Sequence, residues 1–524
     1  MFYPALLLFS TLLSFWPVLG NGFLQWDDRQ NILENLHLQS WSLQNIRWFW
    51  TTFHMGPYQP LSWMSLAVDF RLWGLHPAGY HGMNLLLHAG SALLLYAILL
   101  KMTRSPFGSF VGAMLFAIHP LRVESVAWVT ERRDVLSGFF FMAAWLTYLR
   151  RSFSAAFVLF VAAALSKGTA VGLIWFLILS NIFVLGRKSW LGLGPFFIAA
   201  LLVGAAGWIG ARQEGLFAHS YSLIERAGLF VYGTTFYVQK TLLPWHLSPL
   251  YGLPPHLSSL KLEFLSRAIA FAAFTFWVFQ RRRRDPLPAW AWAASLLILL
   301  PVSGIAQNGR QLAADRYTYL ASVPWAWVVA LKFPDRRFWR IACVPILLIL
   351  MSLTWHQCQF WKNDRALWER AVAVAPDNRT AHYNLGTLEM GSNPQAALRE
   401  FLVVLALDPA DGDAHYNAAE LYHHFGQLSE ASLHYRECLR LRPGWIQAMN
   451  NLSLVLIAMN HSSEAMQELN RALAINDHFA EARFNRGVLL MMQGKRSEGQ
   501  KDLALAVQEQ PDLRQRLASL HQLQ

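Results

Sequence analysis

Residues 3–29 read YPALLLFSTLLSFWPVLG followed by NGFLQWDDR, so an apolar run leads directly into two adjacent carboxylates, Asp27 and Asp28. An apolar run of about 20 residues is long enough to cross a bilayer as a helix. The two aspartates then lie where the chain leaves the membrane, beside Trp26. A cleaved signal peptide is the alternative, but the run has no basic start and no small-residue cleavage site, which favours a retained span.

The composition of the rest of the chain extends this pattern. Of 524 residues, 54% are hydrophobic and only 15% are charged, which requires several membrane spans. The net charge of +12 is not read as a nucleic-acid surface, because many of the Lys and Arg residues lie in clusters beside apolar runs. Such clusters are typical of membrane topology signals and of contacts with anionic lipids. The three cysteines are widely spaced and form no metal or disulfide framework.

Further apolar runs predict a polytopic membrane domain. The predicted spans are residues 3–20, 84–100, 107–120, 134–149, 153–165, 169–186, 191–209, 264–280, 289–304, 317–332 and 340–356. A basic cluster follows each even-numbered span, namely Lys101 with Arg104, Arg150 with Arg151, Arg187 with Lys188, Arg281 to Arg284, and Arg336 with Arg337. Because cytoplasmic loops are enriched in Lys and Arg, these loops are predicted to be cytoplasmic. With about eleven spans, the N-terminus is then inside and the C-terminal region outside.

Several polar segments fall on the outer side in this arrangement. They are the loop 21–80, the turn 120–134, the segment 210–262 and the loop 305–316. Residues 41–53 combine helical spacing with many aromatic rings, which is typical of a helix in the membrane interface. Residues 223–245 are long enough to span, but the charge alternation requires an interfacial or re-entrant helix. The following run LLPWHLSPLYGLPP is too rich in proline for a helix and predicts a loop.

A repeat occupies the polar C-terminal part of the chain. Its units begin at Ala381 (AHYNLG), Ala414 (AHYNAA), Ala448 (AMNNLS) and Ala482 (ARFNRG), which by subtraction are 33, 34 and 34 residues apart. The second half of a unit places a small residue four positions before a bulky one, as in Ala397 with Phe401. This pattern is similar to the tetratricopeptide (TPR) helix pair. The first unit is one residue short in its turn, and Asp477 stands where neighbouring units have proline.

An array of this kind predicts a concave groove suited to extended peptides. His382, His415, Asn384 and Asn417 are candidates for lining it. The alternative is that the asparagines, which recur at one offset, make packing contacts or hydrogen bonds between helices. Residues 366–376 predict an unpaired helix before the first unit, and residues 512–523 predict a capping helix.

The acidic pair has a chemical use if the substrate is a lipid-linked phosphosugar, the usual sugar donor outside the cytoplasm. A carboxylate at the water–membrane boundary can take the proton of an acceptor hydroxyl while its neighbour orients the acceptor. The phosphate is a good leaving group, so an acid is less necessary than in glycoside hydrolysis, and direct displacement inverts the anomeric centre. In the alternative interpretation, Asp27 caps a helix that begins near Asp28.

Cations that could hold the phosphate are predicted on the same side. The candidates are Arg132, Arg133, Lys167 and Arg316. Arginine can donate two parallel hydrogen bonds to a phosphate, and a lysine between two apolar runs is costly unless it meets an anion. Each candidate has a structural alternative: headgroup contacts or ion pairs for the arginines, and snorkelling for Lys167.

The histidines at positions 76, 81 and 88 are candidates for metal ligands. His81 and His88 are seven residues apart and share a helix face, but no carboxylate joins them at ligand spacing. Interfacial or hydrogen-bonding histidines are therefore favoured over a zinc site.

Taken in order, the motifs resemble the transmembrane-and-TPR O-mannosyltransferases and their bacterial relatives, in the GT-C class of integral-membrane glycosyltransferases. The motifs are Trp26-Asp-Asp, Tyr58-Gln-Pro-Leu, His119-Pro, Glu124-Ser-Val-Ala, Arg133-Asp134 and Ala314-Asp-Arg-Tyr, followed by the TPRs. The resemblance implies a polyprenyl- or dolichyl-phosphate sugar donor and catalytic roles for Asp27 and Asp28. It implies supporting roles for Trp26, Tyr58, His119, Glu124, Asp134 and Asp315. Eukaryotic members usually have arginine where this chain has Gln59.

The sequence therefore predicts an all-α protein, with a polytopic GT-C-like domain over residues 1–360 and a non-cytoplasmic TPR α-solenoid over residues 361–524. The predicted activity is transfer of a sugar to a hydroxyl of a protein that the TPRs engage. Mannose is one candidate for this sugar. No metal or other cofactor is assigned, and a divalent-cation requirement stays open. The predicted location is a bacterial inner membrane, or the ER membrane in a eukaryote. The alternative functions are a membrane-anchored TPR scaffold without catalysis, and a transporter, which is disfavoured because charges crowd at the outer span ends.

Overall fold

The computed structural model describes residues 2–182, 191–213, 221–252, 261–302 and 311–522. The predicted cytoplasmic pair Arg187 and Lys188 lies outside these residues. So do residues 305–310 of the predicted outer loop 305–316. The chain divides into two compact units, Met1–Ala375 and Pro376–Gln524. Each unit is described by itself.

Helices form nearly all of the first unit. They are α1 (Phe2–Phe15), α2 (Leu43–Thr51), α3 (Pro60–Trp73), α4 (Pro77–Thr103), α5 (Pro106–Ala117), α6 (Val123–Ala127), α7 (Arg132–Leu149), α8 (Phe153–Ser166), α9 (Leu173–Ser180), α10 (Gly194–Gln213), α11 (Leu223–Leu242), α12 (Lys261–Arg281), α13 (Leu287–Leu299), α14 (Thr318–Ala321), α15 (Val323–Lys332), α16 (Arg337–Gln359) and α17 (Asp364–Val374). The all-α prediction is confirmed for the described residues apart from one short pair of strands. There, strands β1 (Tyr251–Gly252) and β2 (Gln311–Ala313) pair antiparallel.

Five of the described helical segments are long and apolar enough to cross a membrane. They are Phe2–Gly20, Pro77–Thr103, Gly194–Gln213, Leu262–Arg281 and Arg337–Gln359. A sixth candidate is the pair Pro106–Ala117 and Pro120–Ala127, bent by 54°. Several other predicted spans are apolar helices of only 10–17 residues, such as Phe153–Ser166 and Val323–Lys332. A helix of that length falls short of the bilayer core. A polytopic helical unit is therefore confirmed, but eleven spans are not.

Small residues let the central helices approach closely. Gly108 and Gly112 lie one turn apart on α5 and face α15. A methyl group on Gly108 would come within 2.2 Å of the Ala330 carbonyl oxygen, and one on Gly112 within 2.4 Å of the Ala326 carbonyl oxygen. Glycines spaced in this way are typical of helix pairs in membranes, where close packing replaces the hydrophobic effect. This packing holds α5 and α15 side by side; Glu124 follows α5 in the chain, and Arg316 precedes α15.

The second unit is a series of antiparallel helix pairs, as predicted. The pairs are α18 (Arg379–Glu389) with α19 (Pro394–Leu407), α20 (Gly412–His424) with α21 (Leu428–Leu441), α22 (Ile446–Ala458) with α23 (Ser462–Ile475), and α24 (Ala480–Met492) with α25 (Arg496–Glu509), followed by α26 (Leu513–Gln522). The small and bulky positions of the repeat, exemplified by Ala397 and Phe401, are fully buried. The turns of the three later pairs each use one residue of positive φ, namely Gly426, Asn460 and Gly494. The first pair, which is one residue shorter there, does without it.

Hydrogen bonds link successive repeats through the recurring asparagines. The side-chain amide of Asn417 donates to the hydroxyl of Tyr383 at 3.2 Å, and that of Asn451 donates to Tyr416 at 3.0 Å. Each bond joins the first helix of one pair to the first helix of the pair before it. The interpretation of these asparagines as bonds between helices is confirmed for Asn417, whereas Asn384 donates within its own helix to the Thr380 carbonyl.

Candidate active site

The loop after α1 places the two aspartates in different environments. Asp28 is fully buried, where its carboxylate accepts hydrogen bonds from the backbone N–H of Leu24 at 3.0 Å and of Thr130 at 2.9 Å. The Thr130 hydroxyl donates a third bond to it at 2.6 Å. Burial raises the pKa of Asp28 to about 7, although these bonds lower it. Asp28 therefore ties the loop to the turn at Thr130 and has no free face for a substrate.

Asp27 is only half-buried, and its carboxylate makes no hydrogen bond or ion pair with another described residue. Burial raises the pKa of Asp27 above its ordinary value of 3.8, while the charges of Arg133 and Arg316 lower it and that of Glu131 raises it. The helix-cap alternative is not realised, because the short helical turn Arg29–Leu33 has no side-chain cap. Asp27 is thus the member of the pair that is free to accept a proton.

Glu131 is the centre of a group of buried ion pairs beside Asp27. Its carboxylate has no exposed surface and receives a bidentate pair from Arg133, with N–O distances of 2.5 and 3.0 Å. The ammonium of Lys167 lies 3.1 Å away, and Nε of Arg316 lies 3.3 Å away. Burial by itself would raise the pKa of Glu131, but Arg133, Lys167 and Arg316 hold it well below its ordinary value. One carboxylate is therefore shared by three cations.

Two more carboxylates complete the group, which we call the Glu131 cluster: Glu124, Glu131, Arg133, Asp134, Lys167 and Arg316. Asp134 pairs with Lys167 at 2.6 Å and accepts a bond from the Ser125 hydroxyl at 3.1 Å. Glu124 pairs with the guanidinium of Arg316 and accepts a 2.8 Å bond from the Arg316 backbone N–H. Asp134, Lys167 and Arg316 also line a pocket with Thr169 and Tyr317.

The cations of the cluster retain donors that no other described residue uses. These are Nη1 of Arg133 and Nη2 of Arg316, and Lys167 retains one of its three protons. Arg133 and Lys167 keep 17% and 14% of their side chains exposed, so a ligand can reach them. Such donors suit a phosphate, whose oxygens accept several bonds at once.

Arg132 does not join the cluster, although it precedes Arg133. Its guanidinium is fully buried and donates to the Asp69 carboxylate at 2.5 Å, to Asn84 and Ser65, and to the Tyr80 carbonyl. All three of its nitrogens are therefore used by the protein. The structural alternative of an internal ion pair applies to Arg132, with Asp69 as the partner.

The remaining predicted residues are distributed around the cluster. Trp26 stacks on Trp128 with ring centroids 4.7 Å apart and planes at 19°, and Trp128 lies under Arg316 at 5.5 Å. Asp315 accepts a 3.0 Å bond from the Tyr251 hydroxyl, and burial together with the nearby Glu124 charge raises the pKa of Asp315 well above its ordinary value. The alternative that Asp315 and Arg316 form a structural ion pair is not realised among the described residues, where Arg316 pairs with Glu124 and Glu131.

Two predicted residues have their polar atoms engaged with backbone. His119 accepts from the N–H of Leu121 through Nδ1, and its Nε2 lies 3.0 Å from the Thr241 carbonyl oxygen. The Tyr58 hydroxyl donates to the Trp50 carbonyl at 3.1 Å. No described contact brings Tyr58 into the Glu131 cluster.

The histidines of α4 make hydrogen bonds, as the favoured interpretation held. His88 lies 2.9 Å from both the Tyr319 hydroxyl and the Ala117 carbonyl oxygen, and His81 lies 3.3 Å from the Gly22 carbonyl oxygen. Within the described ranges, three or more His, Cys, Asp or Glu side chains nowhere converge in a way that could hold a metal ion.

Comparison with known proteins shows what this chain is similar to. Models of the tetratricopeptide repeat match residues 388–444 and 446–479. Human protein O-mannosyl-transferase TMTC3 is 24% identical, in an alignment covering 92% of this chain and 61% of the relative. Protein O-mannosyl-transferase F38B6.6 of Caenorhabditis elegans is 25% identical over 67% of this chain and 54% of its own length, and human TMTC4 is 24% identical over 73% and 63%. The chain is a homologue of the transmembrane-and-TPR O-mannosyltransferases. It spans only 54–63% of the length of these relatives.

Solved structures are similar to part of this chain. A crystal structure of MamA is 20% identical and covers 29% of this chain and 89% of its own, with a TM-score of 0.27. A crystal structure of the TPR protein YrrB is 19% identical and covers 34% of this chain and 92% of its own, with a TM-score of 0.28. At these TM-scores neither structure supports a conclusion about function.

The sequence alone does not reveal the contacts of Thr130 and Asp69 or the unpartnered donors of Arg122. Arg122 is buried, and its Nε and Nη1 have no partner among the described residues. Asp69 has a signal in the sequence, since a lone carboxylate in the apolar stretch SLAVDF requires a buried partner. Thr130 has no such signal, because its role depends on a contact across 102 residues.

Proposed function

We propose that this protein is a glycosyltransferase that moves a sugar from a polyprenyl or dolichyl phosphate to a hydroxyl of a protein. The observation that carries this proposal is the carboxylate of Asp27. It has no partner among the described residues and lies in the field of Arg133 and Arg316, two of the three cations that share Glu131. A free base next to unused cationic donors provides both parts of a displacement at a phosphosugar.

In the proposed reaction, Asp27 accepts the proton of the acceptor hydroxyl as its oxygen bonds to the anomeric carbon. The bond between that carbon and the phosphate oxygen breaks, and its electron pair leaves with the lipid phosphate. Displacement from the opposite face inverts the anomeric centre. Asp28 does not contact substrate in this scheme, since it is a positioning residue bound to Thr130.

The leaving phosphate is assigned to Arg133, Lys167 and Arg316. Their free donors take up the charge that develops on the phosphate oxygens, which is the largest electrostatic demand of the step. Arg122, a further buried cation with unpartnered donors, adds positive potential behind them. Arg132 is left out of this assignment because Asp69 and its other partners use all its nitrogens.

The sugar is proposed to be mannose, because the relatives are named O-mannosyl-transferases. The TPR unit is proposed to engage the protein acceptor. The arrangement of about eleven spans, with the site and the TPR unit outside the cytoplasm, rests on the basic clusters after the even-numbered spans. The scaffold alternative gives no reason for so many charges to be buried within the first unit.

The test is sugar transfer by the purified full chain in lipid nanodiscs. Polyprenyl-phosphomannose and a nucleotide-linked mannose are offered separately with periplasmic or luminal proteins as acceptors. We expect incorporation from the lipid donor alone, and its loss in Asp27→Asn. A protein that is folded but inactive with both polyprenyl- and dolichyl-phosphate sugars, or that is equally active as Asp27→Asn, contradicts the proposal.

A further inference from the structure

The loop that carries Asp27 is attached along one side to the end of the first unit. Three hydrogen bonds make this attachment: Asn21 Nδ2 to the Cys358 carbonyl at 3.3 Å, Gly22 N–H to the Lys362 carbonyl at 3.0 Å, and Gln25 N–H to the Asp364 carboxylate at 2.8 Å. Each bond spans more than 330 residues of sequence. The geometry of the loop therefore depends on the segment formed by the end of α16 and the start of α17.

An aromatic contact reinforces the last of these bonds. Trp26 contacts two buried indoles: it stacks on Trp128 and is tilted at 53° against Trp368 of α17, with ring centroids 5.1 Å apart. Aromatic pairs at such distances contribute about 0.5–1.5 kcal/mol beyond the area they bury. Trp26 is thus held by contacts with both indoles.

The carboxylate of Asp364 is not needed to start its own helix. The cap of α17 is the preceding residue, Asn363, whose side chain accepts a bond from the backbone N–H of Ala366 at 3.0 Å. Asp364 can therefore direct its side chain to Gln25.

These contacts and those of Asp28 enclose Asp27. Gln25 and Trp26 are held by α17 on one side, and the next residue, Asp28, is held by Thr130 on the other. Asp27 itself has no side-chain bond to a described residue, so the two attachments set where its carboxylate lies. Displacing a catalytic group by about 1 Å can lower the rate about 100-fold.

We propose that Asp364 and Trp368, on helix α17, are positioning residues for Asp27. They act through Gln25 and Trp26 and contact neither donor nor acceptor. The proposal rests on the proposed function, since it assigns Asp27 as the base. It also makes α17, which leads along the chain into the TPR unit, a part of the catalytic machinery of the first unit.

The test compares Asp364→Ala and Trp368→Ala with the conservative variants Asp364→Asn and Trp368→Phe, all in the full chain. Asn keeps an oxygen that accepts from Gln25, and Phe keeps a ring against Trp26. The control is Glu369→Ala, because Glu369 is exposed on the same helix and, among the residues that the structure describes, forms an ion pair only with Arg365, at 3.6 Å. Melting temperature is measured for every variant so that rates are compared between folded proteins.

We expect kcat to fall about 10- to 100-fold in the two alanine variants. The KM for the lipid donor should stay within about twofold, because Arg133, Lys167 and Arg316 lie on other elements. The conservative variants should recover most of kcat, and Glu369→Ala should match the wild type. Unchanged kcat in folded alanine variants, or equal losses in Asp364→Ala and Asp364→Asn, would overturn the proposal.

Hydrogen exchange separates this inference from the proposed function. The backbone N–H groups of residues 24–28 should exchange at least tenfold faster in Asp364→Ala than in wild type or Asp364→Asn. This result is readable even if the wild type transfers no sugar, in which case the proposed function fails while the attachment of the loop stands. Equal exchange in all three proteins shows that Asp364 does not hold the loop.

Discussion

The ion pairs around Glu131 in the first unit are buried and share partners, whereas many in the TPR unit are isolated pairs on the surface. Glu131 has no exposed surface and meets Arg133, Lys167 and Arg316. In the TPR unit, the pairs Arg436–Glu464, Arg440–Glu437 and Arg442–Asp413 leave at least 32% of each side chain exposed. Burying a charge is costly unless it is paired, while an exposed pair contributes little.

The difference indicates what each unit uses its charges for. The TPR unit is stabilised by buried small and bulky apolar residues, such as Ala431 and Tyr435, and its ion pairs are accessory. The first unit holds its charges in place despite the cost of desolvation. Buried, unevenly shared charges with perturbed pKa values are typical of functional sites.

The largest expected effect is from removing the charge at the centre of the cluster. Glu131→Gln leaves three buried cations without their shared carboxylate, and removing one partner of a buried pair costs about 3–5 kcal/mol. We expect a lower melting temperature in detergent and no sugar transfer. The matched variant Glu437→Gln removes one exposed carboxylate of the TPR unit and should change neither. Equal effects of the two substitutions would remove the distinction between the units.

A comparable loss is expected in the TPR unit only from its apolar core. Leu469→Ala deletes a fully buried side chain and should destabilise the unit by about 2–5 kcal/mol. Leu433, on the second helix of the preceding pair, is 64% exposed, and Leu433→Ala is the control with little expected effect. Hydrogen exchange in the TPR helices, used to monitor unfolding, measures the stability of both variants. A Leu469→Ala protein as stable as Leu433→Ala would contradict the assignment of this core.

A smaller effect is expected on the pH dependence of transfer. Asp27 must be deprotonated to act as a base, so the rate should fall as the pH falls through its pKa, which burial raises above 3.8. The charge of Arg133 lowers that pKa, and Arg133→Gln should therefore move the acid limb to higher pH. Profiles of kcat against pH for the two proteins measure the shift.

The control for that shift is Arg29→Gln. Arg29 is close to Asp27 in sequence, but it is exposed and pairs with Glu34 at 2.6 Å. Its removal should leave the acid limb in place. An acid limb that does not move in Arg133→Gln, or that moves equally in Arg29→Gln, argues against Asp27 as the titrating base.

The sequence predicted the repeats and the acidic loop well because both are encoded locally. The spacing of Ala381, Ala414, Ala448 and Ala482 predicts the helix pairs. The apolar run before Asp27 predicts that Asp27 follows a helix. It could not separate Asp27 from Asp28, since Thr130 is more than 100 residues away along the chain. Nor could the sequence distinguish the role of Arg132 from that of Arg133.

The two arginines differ for a geometric reason. Successive residues of a helix point about 100° apart, so neighbours of the same type can face different partners. Arg132 faces Asp69, and Arg133 faces Glu131. The sequence does not fix the number of spans for a different reason, since an apolar stretch such as Val323–Lys332 need not form a helix long enough to cross.

The central claim is that the cations around Glu131 receive a lipid phosphate. Binding of polyprenyl phosphate to the full chain in nanodiscs, compared with polyprenol, tests it without requiring turnover. The account predicts that the phosphate lipid binds and the alcohol does not, and that Lys167→Gln weakens binding at least tenfold while Arg442→Gln on the TPR unit leaves it unchanged. Equal binding of the two lipids, or of the phosphate lipid by wild type and folded Lys167→Gln, would contradict it.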